Sequence, residues 1–100
     1  MKNKVIFIDI DGTICITNHG DYTRSKPIYK RIQKINELYN NGNVIVYWTS
    51  RGTMTNTDWR SLTEEQLENW GCKYHRLQMR KPEFDICVDD KAVSLEQFFK

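Results

Sequence analysis

Three short apolar runs, each stopped by a small polar or acidic residue, constrain this chain more than any other feature. Val5-Ile6-Phe7-Ile8 ends at Asp9, Val44-Ile45-Val46-Tyr47-Trp48 at Thr49, and Ile86-Cys87-Val88 at Asp89. Continuous β-branched and aromatic runs of this length suit strands covered on both faces, as in a parallel sheet. A half-exposed antiparallel strand would alternate apolar with polar positions instead. None of the runs approaches the roughly 18 residues needed to span a bilayer, and the first is too short for a signal peptide. With 39% hydrophobic residues and 28% charged residues of both signs, the chain reads as one soluble domain over residues 1–100, neither disordered nor membrane-embedded.

Helical periodicity fills the spaces between the runs. Ile28, Ile32, Ile35 and Tyr39, with Leu38 beside them, mark one face of a helix over about 27–41. Pro27 suits its first turn, and Asn41-Gly42 supplies a left-handed stop. A second helix is expected from Ser61 to Gly71, opened by a capping box of Thr63 with Gln66 or of Ser61 with Glu64. A further strand is expected at about Lys73–Leu77, and a short helix at about Ser94–Phe99 with Ser94 as its cap. The order β-α-β-α-β-β-α predicts an α/β fold: a three-layer α/β/α, Rossmann-like parallel sheet of about four strands. The polar stretch Cys15–Lys26 is longer than most connections and is a candidate flap.

Charge and cysteine usage narrow the setting. Lys plus Arg number 15 against 13 Asp plus Glu, too small an excess to predict nucleic-acid or membrane binding. Arg24, Lys26, Lys30, Arg31 and Lys34 read as the solvated face of the first helix. His19 and His75 have no partner at metal-ligand spacing, and Trp48, Trp59 and Trp70 suit core or rim positions. Cys15, Cys72 and Cys87 are odd in number and lack C-x-x-C spacing, which suits reduced thiols in a cytoplasmic protein.

The chemistry gathers at the strand ends. In an open parallel sheet, ligands bind beyond the carboxyl ends of the strands, where Asp9, Thr49 and Asp89 are placed, with Asp11 and Asp90 following at once. Two like charges about 4 Å apart cost on the order of 4 kcal/mol at an effective dielectric near 20, so four carboxylates in one crevice need a cation. An all-oxygen set without His or Cys suits Mg2+, which would bridge to a substrate phosphate. The Thr49 hydroxyl and the Lys81 ammonium are then placed to hold other phosphate oxygens, with backbone N–H groups of Asp11-Gly12 and Ser50 as further donors. Arg51, just beyond Thr49, is a candidate substrate contact at the mouth of the site. Taken singly, each Asp is an ordinary solvated turn residue; the ordered set carries the reading.

That ordered set resembles the motifs of the haloacid dehalogenase superfamily of phosphohydrolases. Phe7-Ile8-Asp9-Ile10-Asp11-Gly12-Thr13 is similar to the first motif, DxDGT, Thr49 to the second, Lys81 before Pro82 to the third, and Asp89-Asp90 to the acidic pair of the fourth. The resemblance implies a magnesium-dependent phosphatase acting on a sugar phosphate or similar small phosphorylated metabolite. Asp9 would be the nucleophile that forms an aspartyl-phosphate. Asp11 would be the general acid and then the base, and its acid role predicts a pKa raised above the usual carboxylate value. Thr49 and Lys81 would orient the phosphoryl group. Asp9, the backbone carbonyl of Asp11, and Asp89 would hold the metal, with Asp90 as a further ligand or support.

Members of this superfamily usually carry a cap domain, and neither gap between the motifs here has room for one. Closure then falls to the flap, to the substrate or to a second copy of the chain. Two other readings compete. A nucleic-acid end phosphatase would use the same machinery on an extended substrate. A phospho-receiver or interaction module shares the acidic site, the Thr and the Lys, but would carry its acidic pair at the first strand, whereas DxDGT comes first here.

Overall fold

The computed structural model describes residues 1–100. The chain runs through β1 (Val5–Ile8), β2 (Cys15–Ile16), a single 3-10 turn (Tyr22–Arg24), β3 (Lys26–Pro27), α1 (Tyr29–Asn40), β4 (Val44–Trp48), α2 (Arg60–Asn69), β5 (Arg76–Gln78) and α3 (Leu95–Phe98). β1, β4 and β5 form a parallel sheet in the order β1-β4-β5, with Val5 opposite Val44 and Val46 opposite Arg76. The central strand is the most apolar one: Ile45, Val46 and Tyr47 are all fully buried, as a strand covered on both faces requires.

The helices bury what their periodicity exposes. Ile32 and Ile35 of α1 and Leu67 of α2 join Ile8, Ile10, Ile14, Ile45 and Leu77 in one core. Full burial of each such side chain contributes about 1.5–3 kcal/mol. Both helices end at the glycines the sequence marks. At the end of α1, Gly42 N–H donates to Tyr39 O and Asn43 N–H to Leu38 O; at the end of α2, Gly71 N–H donates to Glu68 O and Cys72 N–H to Leu67 O. This is the left-handed Schellman stop in both cases. Ser94 caps α3, its Oγ accepting from Gln97 N–H at 3.2 Å.

Four expectations need correction. Pro27 does not open the first helix: it pairs with Cys15 in the small antiparallel sheet of β2 and β3, and α1 starts two residues later, after Ile28 N–H has bonded Ile14 O at 2.7 Å. Proline lacks only a donor, so it is tolerated in so short an edge strand. Neither expected capping box forms on α2. Thr63 and Gln66 are buried inside the helix, and the freed Arg60 N–H is capped by Asp58 Oδ1 at 3.0 Å. The strand expected at Lys73–Leu77 is shorter and later, Arg76–Gln78. Lastly, the sheet has three strands and not four. Ile86 and Val88 are 81% and 94% exposed, and residues 82–93 make no backbone–backbone hydrogen bond. A run of three apolar residues has strand propensity, but a strand exists only where a ladder partner accepts it.

Candidate active site

The site is built where β1, β4 and β5 end side by side. Thr49 N–H donates to Gln78 O and Lys81 N–H to Thr49 O, both at 3.0 Å, so pairing of β4 with β5 carries on past the strands and draws the segment bearing Lys81 toward β1. Asp9 and Asp11 follow β1 in a tight turn. Thr13 N–H and Ile14 N–H both bond Ile10 O, Gly12 N–H bonds Cys15 O, and Gly12 takes φ +81°, a conformation glycine adopts without strain.

Asp9 stands between two donors. Lys81 Nζ donates to its Oδ1 at 3.3 Å and Thr13 Oγ1 to its Oδ2 at 3.2 Å. Asp9, Asp11, Ser50 and Lys81 line one open cavity of about 270 Å3, joined by Pro82, Glu83 and Phe84. Thr49, expected to orient the phosphoryl group, does not line this cavity. It is 1% exposed, and its Oγ1 accepts from Arg51 N–H at 3.1 Å, which fixes the loop that presents Ser50.

Arg51 is not at the mouth of the site. Its side chain is fully buried and spends every donor of the guanidinium inside the protein. Nε donates to Asp11 Oδ2 at 2.9 Å and Nη2 to Asp11 Oδ1 at 2.9 Å; Nη2 also reaches Ser25 Oγ at 3.4 Å. Nη1 donates to Thr63 Oγ1 at 3.1 Å and Gln66 Oε1 at 2.6 Å, and the Tyr22 ring covers the cation at 4.8 Å. A buried charge is tolerated only with such complete pairing. One cation thus joins Asp11, the 15–26 segment and α2, which explains why Thr63 and Gln66 face inward.

The same network reverses the expectation for Asp11. Burial pushes its pKa up, but the hydrogen bonds from Arg51 and Thr17, with the arginine charge, outweigh it and hold the carboxyl below its ordinary value. Thr17 Oγ1 donates to Asp11 Oδ1 at 2.5 Å. Cys15, whose Sγ lies 3.5 Å from the same oxygen, has its thiol pushed up to about 11, mainly by burial, and so acts as a neutral donor.

The four carboxylates do not converge. Asp89 and Asp90 are exposed, Asp89 Oδ1 accepting from Lys91 N–H at 2.9 Å, and no group of three or more His, Cys, Asp or Glu side chains could hold a metal ion. Their place at the site depends on the strand that residues 86–88 do not form. Asp9 and Asp11 still fit magnesium, which binds one or two carboxylates and fills its octahedron with water and substrate phosphate. Because Arg51 and Thr17 claim both side-chain oxygens of Asp11, its backbone carbonyl is the better donor there.

Several residues of the site were not legible in the sequence. Thr17, Ser25 and Tyr22 sit among ordinary loop polar groups, and Thr13 appears there only as the last residue of the DxDGT string, with no role attached. For Thr63 and Gln66 the signal was their spacing of three on the stripe that also carries the core residue Leu67.

Residues 1–98 match the model of a family described as mitochondrial PGP phosphatase. Among solved structures, the crystal structure of an MCSG target from Vibrio cholerae superimposes with a TM-score of 0.87 at 26% identity, covering 96% of this chain and 87% of that one. A chain in the structure of the Pnkp1/Rnl/Hen1 RNA repair complex matches with a TM-score of 0.65 at 19% identity, over 79% of this chain and 26% of that one, a likeness of fold. No curated protein matches the sequence. No helix is long and apolar enough to cross a membrane.

Proposed function

Since the chain belongs to the mitochondrial PGP phosphatase family, we propose that it is a magnesium-dependent phosphomonoester hydrolase of the haloacid dehalogenase type, acting through phosphorylation of Asp9 on a sugar phosphate or similar small metabolite. The observation that carries this reading is Asp9 at the end of β1, with Lys81 Nζ at 3.3 Å in an open cavity shared with Asp11. A half-buried carboxylate that faces a lysine in an open cavity is a nucleophile beside the cation that draws a phosphoryl group to it. The free thiols of Cys15, Cys72 and Cys87 support a reducing compartment, and a cytoplasmic setting belongs to the same proposal.

In the first step an Asp9 oxygen bonds phosphorus as the ester P–O bond breaks, and the leaving oxygen takes a proton from Asp11. Asp11 is held ionised by Arg51, so it takes that proton from solvent as the phosphate charge arrives beside it, before the ester bond breaks. In the second step water bonds phosphorus, Asp11 takes its proton, and the bond to Asp9 breaks, releasing inorganic phosphate. Lys81 offsets charge on the phosphoryl oxygens throughout, and Ser50 lines the cavity beside them. The Asp9 carboxylate and the Asp11 carbonyl would hold magnesium, which when bound supplies further neutralisation of phosphate charge. Arg51 is a positioning residue that fixes both oxygens of Asp11.

Phosphate release from a panel of phosphomonoesters, with magnesium and with a chelator, tests the reading. Turnover is expected only with magnesium, and Asp9→Asn should lower kcat by about a thousandfold or more with the fold intact by circular dichroism. Undiminished turnover by Asp9→Asn would sink the mechanism.

A further inference from the structure

We propose that the cavity beside the phosphate pocket, about 240 Å3 in volume and lined by Tyr22, Gly52, Thr55, Thr57, Trp59 and Glu83 among others, is a leaving-group subsite that takes a neutral polyhydroxylated group. This rests on the phosphatase reading. Glu83 lines both cavities, so the two adjoin, and an ester with its phosphoryl group at Asp9 can extend its alcohol portion into this second space.

The walls of the cavity are held in place before any ligand arrives. Gly52 has φ +79°, and a Cβ there would lie 1.9 Å from the Thr57 carbonyl oxygen, so the 52–59 loop folds back on itself only with glycine at that position. Thr63 Oγ1 donates to Trp59 O at 2.7 Å and Gln66 Nε2 to Tyr22 O at 2.5 Å, tying both walls to α2. The two rings meet edge to face, with centroids 5.2 Å apart at 76°, and Arg51 supports Tyr22 from below. Subsites held this rigidly lose little entropy on binding.

The lining chemistry selects the occupant. Aromatic rings cover the C–H faces of a sugar or polyol, the threonine hydroxyls donate and accept, and the Glu83 carboxylate accepts from hydroxyl donors. No Lys, Arg or His lines the cavity, and Glu83 repels a second anion. Bisphosphates and nucleic-acid ends are therefore disfavoured. A cavity below the roughly 300 Å3 of drug-sized sites admits about one ring.

Steady-state kinetics on hexose and polyol monophosphates, methyl phosphate and a 5′-phosphorylated dinucleotide test the assignment. Wild-type kcat/KM for the best sugar or polyol ester should exceed that for methyl phosphate, and for the dinucleotide, by about tenfold or more. Trp59→Ala should collapse that ratio, chiefly through KM. Glu83→Lys, at an exposed loop position that does not threaten the fold, should shift preference about tenfold toward a hexose bisphosphate. Equal turnover of all esters by the wild type, a preference for the dinucleotide, or ratios unmoved in both variants would overturn the subsite and leave the phosphatase standing. No turnover of any ester, methyl phosphate included, would overturn the phosphatase reading beneath it.

Discussion

Arg51 shows how one buried side chain ties a carboxylate of the open cavity to the body of the protein. Its five hydrogen bonds reach Asp11, Ser25, Thr63 and Gln66, so its effect on turnover should pass through Asp11. Arg51→Gln is expected to lower kcat about a hundredfold with a small change in KM, and to cost little more when added to Asp11→Asn. A merely structural arginine would cost the same factor in both backgrounds. Arg51→Gln should also destabilise the fold by about 3 kcal/mol, since it breaks a buried pair and leaves one partner behind. The pH dependence of that cost has a definite sign. The folded pKa of Asp11 lies below its ordinary 3.8, so the pair contributes fully above that value and is lost as pH falls through the folded pKa. The stability gap between wild type and Arg51→Gln, from urea unfolding, should therefore narrow below about pH 4 and stay constant above it. None of this was legible in the sequence, where Arg51 reads as a substrate contact at the mouth of the site, because its partners are up to 40 residues away.

At the scale of elements, legibility follows locality. Both glycine stops and the Ser94 cap depend on neighbours within a few residues, and the apolar runs of β1 and β4 find their ladder partners in each other; all stand as the sequence indicates. Pro27, Thr63 and Gln66 carry local helix-start signals that distant partners override: Cys15 for the proline, Arg51 for the other two. Ile86–Val88 shows the reverse case, an apolar run with no ladder to join, and Asp89 and Asp90 stay outside the site with it. The loop after β4 provides a direct check on this scale. Gly52→Ala places a Cβ 1.9 Å from a backbone oxygen at positive φ, so it should lower Tm by about 5 °C or more. A Tm within a degree of wild type would show that this loop does not hold its closed turn in solution.

Across the whole molecule, the parallel sheet gathers residues 9, 11, 50 and 81 at the carboxyl ends of its strands, and the gaps between them are spent on structure. Cys15–Lys26 supplies the β2–β3 hairpin and its turn, and residues 50–80 supply α2 and β5. No inserted domain interrupts these segments, and the cavity at Asp9 is open. Under the proposed function, selectivity falls to the 15–26 segment, the 52–59 loop and Glu83, all of which meet at the second cavity. Everything in this scheme depends on Asp9 taking the phosphoryl group. Intact-mass and peptide mass spectrometry on enzyme acid-quenched during turnover tests that step most directly. One phosphoryl group on Asp9 is expected in the wild type, and none in Asp9→Asn. Sustained phosphate release with no phosphoryl adduct on Asp9, under conditions that preserve acyl phosphates, would contradict it.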